Sequence, residues 1–569
     1  MVPTGISYEF GPFRADPRER RLWRGDRIVP VTSKVFDILL FLIQNSGRLL
    51  TKDKMMEQLW PDTTVEESNL ARNVSSLRKA LGENPDEPQY IETVPKQGYR
   101  FIASVREVPG APVEQDSLAV LPFVGEGLDA ESEYLPSGLT SILIDKLSLL
   151  EGLKVLSSSA VFRYRERCSG SGFPDLMVIG RELGIRAVVT GRVVKIADSL
   201  TVDVELVDAR DNSHVWGGRY HRSVGDIVTM EETIAQDIAG RLRLRLTTRE
   251  KEGMRRDTED AEAHVLYLKG RFFWQKMTPD GVQKGLEFFQ KAIEKDPDYA
   301  LAYVGLMNCH TYLGSPAEAR RAANMALELD PLLGEAHASR AFAAFLYDWD
   351  WETAEWGFRR AIELNPNHAE AHHWYAIYLA HLGRHEEALR EARLAQDLDP
   401  LSLLMSQTAG MVLCLARLYD QAIDALLKTL EMDENYAAAH STLGLVYAEK
   451  GMCDKAVAEF EKVLALAGKA PPVEVSVKAL MGYAYAASGN RDEALKLAKE
   501  VSALTAAPPY QIAAIYATVG ETKLAFEWLE RAYSARSFEL VGLKVNPGVD
   551  KLRSDPRFDD LLKRVGLVG

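Results

Sequence analysis

The sequence predicts a multidomain chain: a small α+β domain, an α/β domain and a long all-α solenoid. Three observations carry this prediction. Asp296-Pro297, Asp330-Pro331, Asn365-Pro366 and Asp399-Pro400 recur at intervals of 34, 35 and 34 residues. Residues 116–250 interleave β-prone runs with helical periodicity. Residues 5–106 mix short β-like runs with three amphipathic helices and end in two strands around a basic turn.

Length and charge bound the rest. At 569 residues the chain has room for several domains. The net charge is −14, yet residues 1–106 hold 16 Lys/Arg against 14 Asp/Glu. Only the first domain favours an anionic partner, and the acidic remainder suits protein contacts. Cys168, Cys309, Cys414 and Cys453 are too scattered for a disulfide framework. Apolar runs such as residues 38–43 are far short of the roughly 20 residues a membrane span needs. The start of the sequence lacks a signal-peptide pattern, so a cytoplasmic location without membrane contact is expected.

In the first domain, β-like runs at 8–13, 21–23 and 28–31 come first. Thr32 or Ser33 can cap a helix whose apolar face is Val35, Phe36, Leu39, Leu40, Leu42 and Ile43, and Gly47 stops it. A second helix begins at Thr51 and ends at Pro61. A third begins near Ser68. Leu70, Val74, Leu77 and Leu81 fall on one face, which leaves Arg72, Asn73, Ser75, Ser76 and Lys79 outside or flanking. Two strands, 90–94 and 99–103, then pair around Pro95–Gly98.

Residues 32–60, the stretch SSLRKALGE and the stretch YIETVPKQGYRF resemble the OmpR/PhoB-type winged helix, in the form typified by the ToxR and CadC regulators. The resemblance implies double-stranded DNA as partner, with the third helix in the major groove and the hairpin on the flanking backbone. Carried onto this chain, it sets Arg72, Asn73, Ser75 and Ser76 toward the groove. Arg78 and Lys79 meet phosphates, as do Lys96 and Arg100 at the wing. Serine reads bases weakly, so the operator is not legible. A salt bridge to Glu57 is the competing role for Arg78. The thin cation set implies that two copies bind together.

Residues 107–115 read as a short linker. In the middle domain, strands are expected at 117–124, 153–157, 187–195, 200–208 and 213–221, and helices at 139–150, 176–183 and 226–246. AVLPF and GRELGIRAVVTGRVVKIADSLTVDVELVDARDNSHVWGGRY resemble the TolB-N/FlgO-like domain, which implies a fold and no reaction. No phosphate loop is present. His214 and His221 read as structural histidines, and Arg163, Arg165 and Arg167 as a solvated charge run.

The period in residues 260–569 marks a helix–turn–helix array. Gly285, Ala319, Ala354, Ala388, Ala422, Ala456, Ala494 and Ala525 supply the small residue at which paired helices approach. Leu443, Gly444, Tyr447, Ala456 and Phe460 resemble the tetratricopeptide signature, about eight repeats in all. His368 and His372 flank Glu370 without the spacing of a metal site. Tyr347, Trp349, Trp351, Trp356 and Phe358 read as inter-repeat core, and residues 550–567 as a terminal cap. The expected function is a DNA-binding transcriptional regulator whose repeats hold RNA polymerase or another protein, or assemble a homodimer on DNA. The alternative is a scaffold whose winged helix contacts protein. No catalytic set, cofactor site or metal site is expected.

Overall fold

The computed structural model of the chain covers residues 6–16, 21–24, 27–29, 31, 33–59, 67–84, 88–95, 97–109, 116–129, 131–168, 175–242, 247, 258–276, 278–467, 471–504 and 507–567. Thr32, Pro61, Lys96, the loop at 169–172 and the end of the third middle-domain helix expectation, 243–246, lie outside these residues. Two compact units result, residues 1–115 and 116–569.

The first unit opens with an antiparallel sheet in the order β4-β3-β2-β1-β8: β1 Ile6–Phe10, β2 Phe13–Asp16, β3 Arg21–Arg24, β4 Arg27–Val29 and β8 Arg106–Pro109. The run expected at 8–13 is therefore a hairpin, turned at Gly11 with φ +52°. Residues 107–109, read as linker, instead pair with Ile6–Tyr8 and satisfy that edge of the sheet.

Helices α1 Ser33–Gln44, α2 Lys52–Leu59 and α3 Glu67–Leu81 follow, with β5 Leu49–Thr51 between the first two. Thr51 thus ends a strand rather than beginning a helix. β6 Ile91–Val94 and β7 Gly98–Phe101 form the hairpin, and β5 joins it in the order β5-β7-β6. Only glycine fits at 98, because a Cβ there would sit 1.9 Å from the Leu50 carbonyl oxygen on β5. The core is shared by all of these elements and includes Leu70, Val74, Leu77 and Leu81 of α3.

A buried charge pair fastens α3 to the hairpin. The Glu83 carboxylate accepts backbone N–H bonds from Gln89 (2.6 Å), Tyr90 (2.5 Å) and Ile91 (2.9 Å). Arg78 donates to the Ile91 carbonyl (2.6 Å) and to Thr93 Oγ1 (2.7 Å), with its Nε 3.8 Å from Glu83. The N–H groups of Gln89, Tyr90 and Ile91 and the Ile91 carbonyl, at the strand entry, are thereby paired.

In the second unit a six-stranded sheet runs β11-β9-β12-β13-β14, with β10 Val124–Glu126 also on β12. β9 Asp116–Val120, β11 Leu153–Val155 and the start of β12 Ala187–Ile196 are parallel; β12, β13 Ser199–Asp208 and β14 Ser213–Ser223 form an antiparallel meander. Helices α4 Leu135–Ser148 and α8 Ile227–Arg241 pack together, α4 against β9 and β12 and α8 against β14. Shorter helices are α5 Ser158–Phe162, α6 Arg165–Cys168 and α7 Leu176–Leu183, the last ended by Gly184 at φ +62°.

Eight helix pairs follow among the described residues, from Ala261–Trp274 with Pro279–Lys295 to Pro509–Val519 with Thr522–Ser534. The small residues sit where paired helices touch: a Cβ at Gly285 would lie 3.1 Å from the Gly270 carbonyl oxygen, and Ala354, Ala388, Ala422 and Ala456 are fully buried. First helices such as Ala369–His381 are apolar nearly all round, while second helices such as His385–Leu398 bury one stripe. That difference places the first helices inside.

The middle domain and the repeats are not separate bodies. One apolar cluster runs from Val188 and Ile234 into Tyr267, Phe289 and Tyr299. Asn367, at the turn before the fourth pair, donates to the Ser148 (2.8 Å) and Leu153 (2.9 Å) carbonyls and accepts from the Val155 N–H (3.0 Å). His264 lies between Glu231 of α8 (3.0 Å) and the Tyr299 hydroxyl (2.9 Å), entirely buried. Arg271 pairs with Asp145 of α4, and Ser159 donates to Asp399.

The terminal segment reaches much further than a cap. Its two 3₁₀ turns, Phe538–Gly542 and Pro547–Leu552, meet first helices at His381, Tyr483 and Ala514, while the helix Pro556–Val565 packs on the last second helix, Thr522–Ser534, and on Trp351. Arg417 grips Asp550 with both oxygens (2.7 and 3.0 Å), and Trp351 Nε1 donates to the Val565 carbonyl (2.8 Å). Leu540, Leu543, Val549 and Phe558 are buried there at 0–1 % exposure.

Two substitutions test these joints. Glu83→Ala strands three backbone donors and the Arg78 charge, and should destabilise the first unit by about 3 kcal/mol in urea unfolding of the full chain. Asn367→Ala removes three hydrogen bonds at a buried junction and should cost about 3 kcal/mol in the transition of the second unit, with the first unit's transition unmoved.

Candidate nucleic-acid interface

Helix α3 has two sides of opposite character. Leu70, Val74, Leu77 and Leu81 enter the core, so the helix cannot rotate without exposing them. On the other side Arg72, Ser75, Ser76 and Lys79 are exposed, at the i, i+3, i+4, i+7 spacing that forms one stripe. The stripe carries a cation at each end and two hydroxyls between them. Asn73 is half-buried beside it, and its amide donates to the Asn69 carbonyl (2.8 Å). Ser76 Oγ likewise donates to the Arg72 carbonyl (3.1 Å). Both side chains are satisfied on their own helix.

The other three candidates fall elsewhere. Arg78 is 9 % exposed and committed to Ile91, Thr93 and Glu83, so the structure does not place it on the outer face. The reason is positional: residue 78 follows Leu77 at the boundary of the buried stripe, where β6 offers free acceptors. Arg100 on β7 is half-exposed and pairs across the hairpin with Glu92 on β6 (3.2 Å). Lys96 lies outside the described residues, as does the side chain of Glu57, the alternative partner of Arg78. Glu83 was missed by sequence reading. Its only signal is an acid just past the helix-ending Gly82, two residues beyond the last apolar position, Leu81.

The remaining chemistry-bearing groups are held structurally. His221 meets Thr201 Oγ1 (3.0 Å) on the neighbouring strand, and Arg167 pairs with Glu182 (2.9 Å). His372 is fixed between Glu391 (2.6 Å) and the Pro366 carbonyl (3.0 Å). Burial opposes a charge on His368, but Glu370 at 3.3 Å outweighs it and holds the imidazole above its ordinary value. No group of His, Cys, Asp and Glu suited to a metal occurs among the described residues. No helix there is long and apolar enough to cross a membrane. Of the aromatic cluster, Trp349 and Phe358 are buried, while Tyr347 and Trp356 stand 43 % and 53 % exposed.

Comparison with known proteins accounts for each region. The family described as transcriptional regulatory protein, C terminal, matches residues 25–101. The HilA/YgeH-like transcriptional regulator second domain matches 114–237, the region whose sequence resembles TolB-N/FlgO. Tetratricopeptide repeat families match 358–390 and 416–471. The chain is 25 % identical to the transcriptional regulator HilA of Salmonella typhi, over 67 % of this chain and 68 % of HilA. It is 29 % identical to a putative adenylate cyclase 3 of Rhizobium meliloti, over 54 % of this chain and about half (47 %) of the cyclase. Among solved structures, the DNA-binding domain of E. coli CadC is 30 % identical over 18 % of this chain and 94 % of that domain, with a TM-score of 0.17. The chain thus carries, in order, an OmpR/PhoB-type winged-helix domain, a HilA/YgeH-like second domain and tetratricopeptide repeats, with HilA- and CadC-like regulators as its homologues.

Proposed function

We propose that the chain is a sequence-specific transcriptional regulator that binds double-stranded DNA through α3 and the hairpin, in the cytoplasm. The exposed stripe Arg72–Ser75–Ser76–Lys79, on a helix locked by its other face, is the observation that carries this reading. Arg72 and Lys79 flank the groove contacts and neutralise phosphate, with Asn73, Ser75 and Ser76 toward the bases. Lys96 and Arg100 are proposed as backbone contacts of the wing. Arg78 and Glu83 act behind them, holding the hairpin at a fixed distance from the helix.

Two copies act together, since two exposed cations on one recognition helix give few phosphate contacts. The repeats are proposed to hold RNA polymerase or another protein. Trp356 and Tyr347, both exposed, are proposed as part of the surface on which such a partner docks. The match to the cyclase relative covers 47 % of that protein, and a non-enzymatic role is proposed for this chain. One observation favours the second reading, an adaptor whose winged helix contacts protein: Asn73 and Ser76 bond to their own helix.

Capture of genomic DNA separates the two. The full chain should enrich discrete sites, and the double variant Arg72→Ala/Lys79→Ala should lose that enrichment by about tenfold or more. No enrichment by either protein supports the adaptor. On a captured site, Lys79→Ala should reduce the slope of log affinity against log salt by about 0.9, read by fluorescence anisotropy.

A further inference from the structure

A cavity of about 750 Å³ lies where the middle domain meets the first four helix pairs, all within one compact unit. That volume is in the range that holds a small organic molecule. Its walls come from α4, the segment from β11 to α6, and chiefly the first helices of the four pairs.

Five ionisable groups meet there: Asp145 of α4, Arg271 of the first pair, Glu335 of the third, and His368 and Glu370 at the start of the fourth. Asp145 pairs with Arg271, and His368 Nε2 with Glu370 (3.3 Å). Three carboxylates thus share two cations, and Glu335 is the one left over. No hydrogen bond reaches its carboxylate among the described residues. Burial therefore holds Glu335 above the usual carboxylate range, and the charge of His368 offsets only part of the effect. At the α5–α6 wall the charges are answered locally. Arg165 donates to Ser137 Oγ (2.9 Å) and lies over Phe162 (5.0 Å), with Glu133 as its countercharge. Arg163 and Glu166 are exposed and opposite in sign.

Two more polar atoms on these walls are buried without a partner among the described residues. The Gln275 amide donates to Ser141 Oγ (2.5 Å), which leaves its Oε1 unpaired. Nδ1 of His368, a side chain 11 % exposed, is unpaired as well. A buried polar atom in this state costs stability, and a bound group can supply what it lacks. Glu335 and Gln275 both lack a donor, which calls for N–H groups and positive charge. Aromatic rings supply the rest of the site. Trp274 and Tyr312 meet edge to face (6.0 Å) on one wall, where Tyr312 is 42 % exposed. Ring faces attract cations and stack on flat apolar bodies.

We propose that the cavity binds a small organic cation, a primary amine on an aromatic body, whose ammonium meets Glu335 and whose ring lies against Trp274 and Tyr312. The ammonium is the third cation for the third carboxylate. Because its walls belong to both the middle domain and the array, an occupant ties the two together. The site needs no DNA, so its test is separate from that of DNA binding.

Isothermal titration calorimetry of the full chain with tryptamine tests the site. Tryptamine should bind, one molecule per chain. Indole-3-propionate has the same ring and linker with a carboxylate in place of the ammonium, and should bind about tenfold more weakly or worse. Glu335→Gln keeps the shape and removes the charge, and should cost tryptamine about tenfold or more without weakening indole-3-propionate. Asn308→Trp fills the cavity from the second pair and should abolish tryptamine binding. No binding of tryptamine at millimolar concentration, equal binding of the two probes, or full tryptamine affinity in Glu335→Gln overturns the proposal. Should circular dichroism show Glu335→Gln to be misfolded, Asn308→Trp decides, and unchanged affinity there overturns the site.

Discussion

Asn367 gives both amide protons and its oxygen to the backbone around β11, a strand more than 200 residues away in sequence. A peptide group taken out of water must find such partners or lose stability. Here the partners for the end of α4 and for β11 come from a turn of the repeat array. The middle domain is therefore completed by the repeats and not merely tethered to them. The continuous apolar cluster from Val188 to Tyr299 and the buried pair of His264 and Glu231 follow the same logic. Any change in the array at its third and fourth pairs bears directly on the sheet.

The first unit has its own version of this arrangement. Glu83 stands at the end of α3 and caps three N–H groups of the hairpin's approach, while Arg78 closes the same gap from the helix. Wing and recognition helix are one rigid part. A surface of that kind presents the exposed stripe and the hairpin in a single geometry, which lowers the ordering cost of meeting a long ligand.

The sequence was most readable where one physical rule acts locally. The 34-residue period, the buried face of α3, the Gly184 stop and the turn at 208–212 all follow from side-chain periodicity or backbone sterics, and all appear in the structure. Short strands were less readable. β5 and β8 are three and four residues long and owe their existence to partners far along the chain, so Thr51 and residues 107–109 read as something else. Arg78 shows the same limit on α3: a cation on a helix edge reads as solvent-facing until a strand carbonyl is seen beside it. One signal was present and unread. Asn365 stands where the equivalent turns carry Asp296, Asp330 and Asp399, and Asn367 where two of them carry leucine. Two amides at one turn can both donate and accept, which suits a turn that meets polar groups of another segment.

The terminal segment carries a last consequence. Repeat arrays unfold piecemeal, because each unit touches only its neighbours and the ends come loose first. The bond from Trp351 to Val565 spans 214 residues, and Arg417 meets Asp550 across 133. The end of this array is stitched to its third pair, so the last repeats cannot fray independently. Heat or force applied to it should meet one cooperative block, and a shortened chain would fail in its middle as well as at its end.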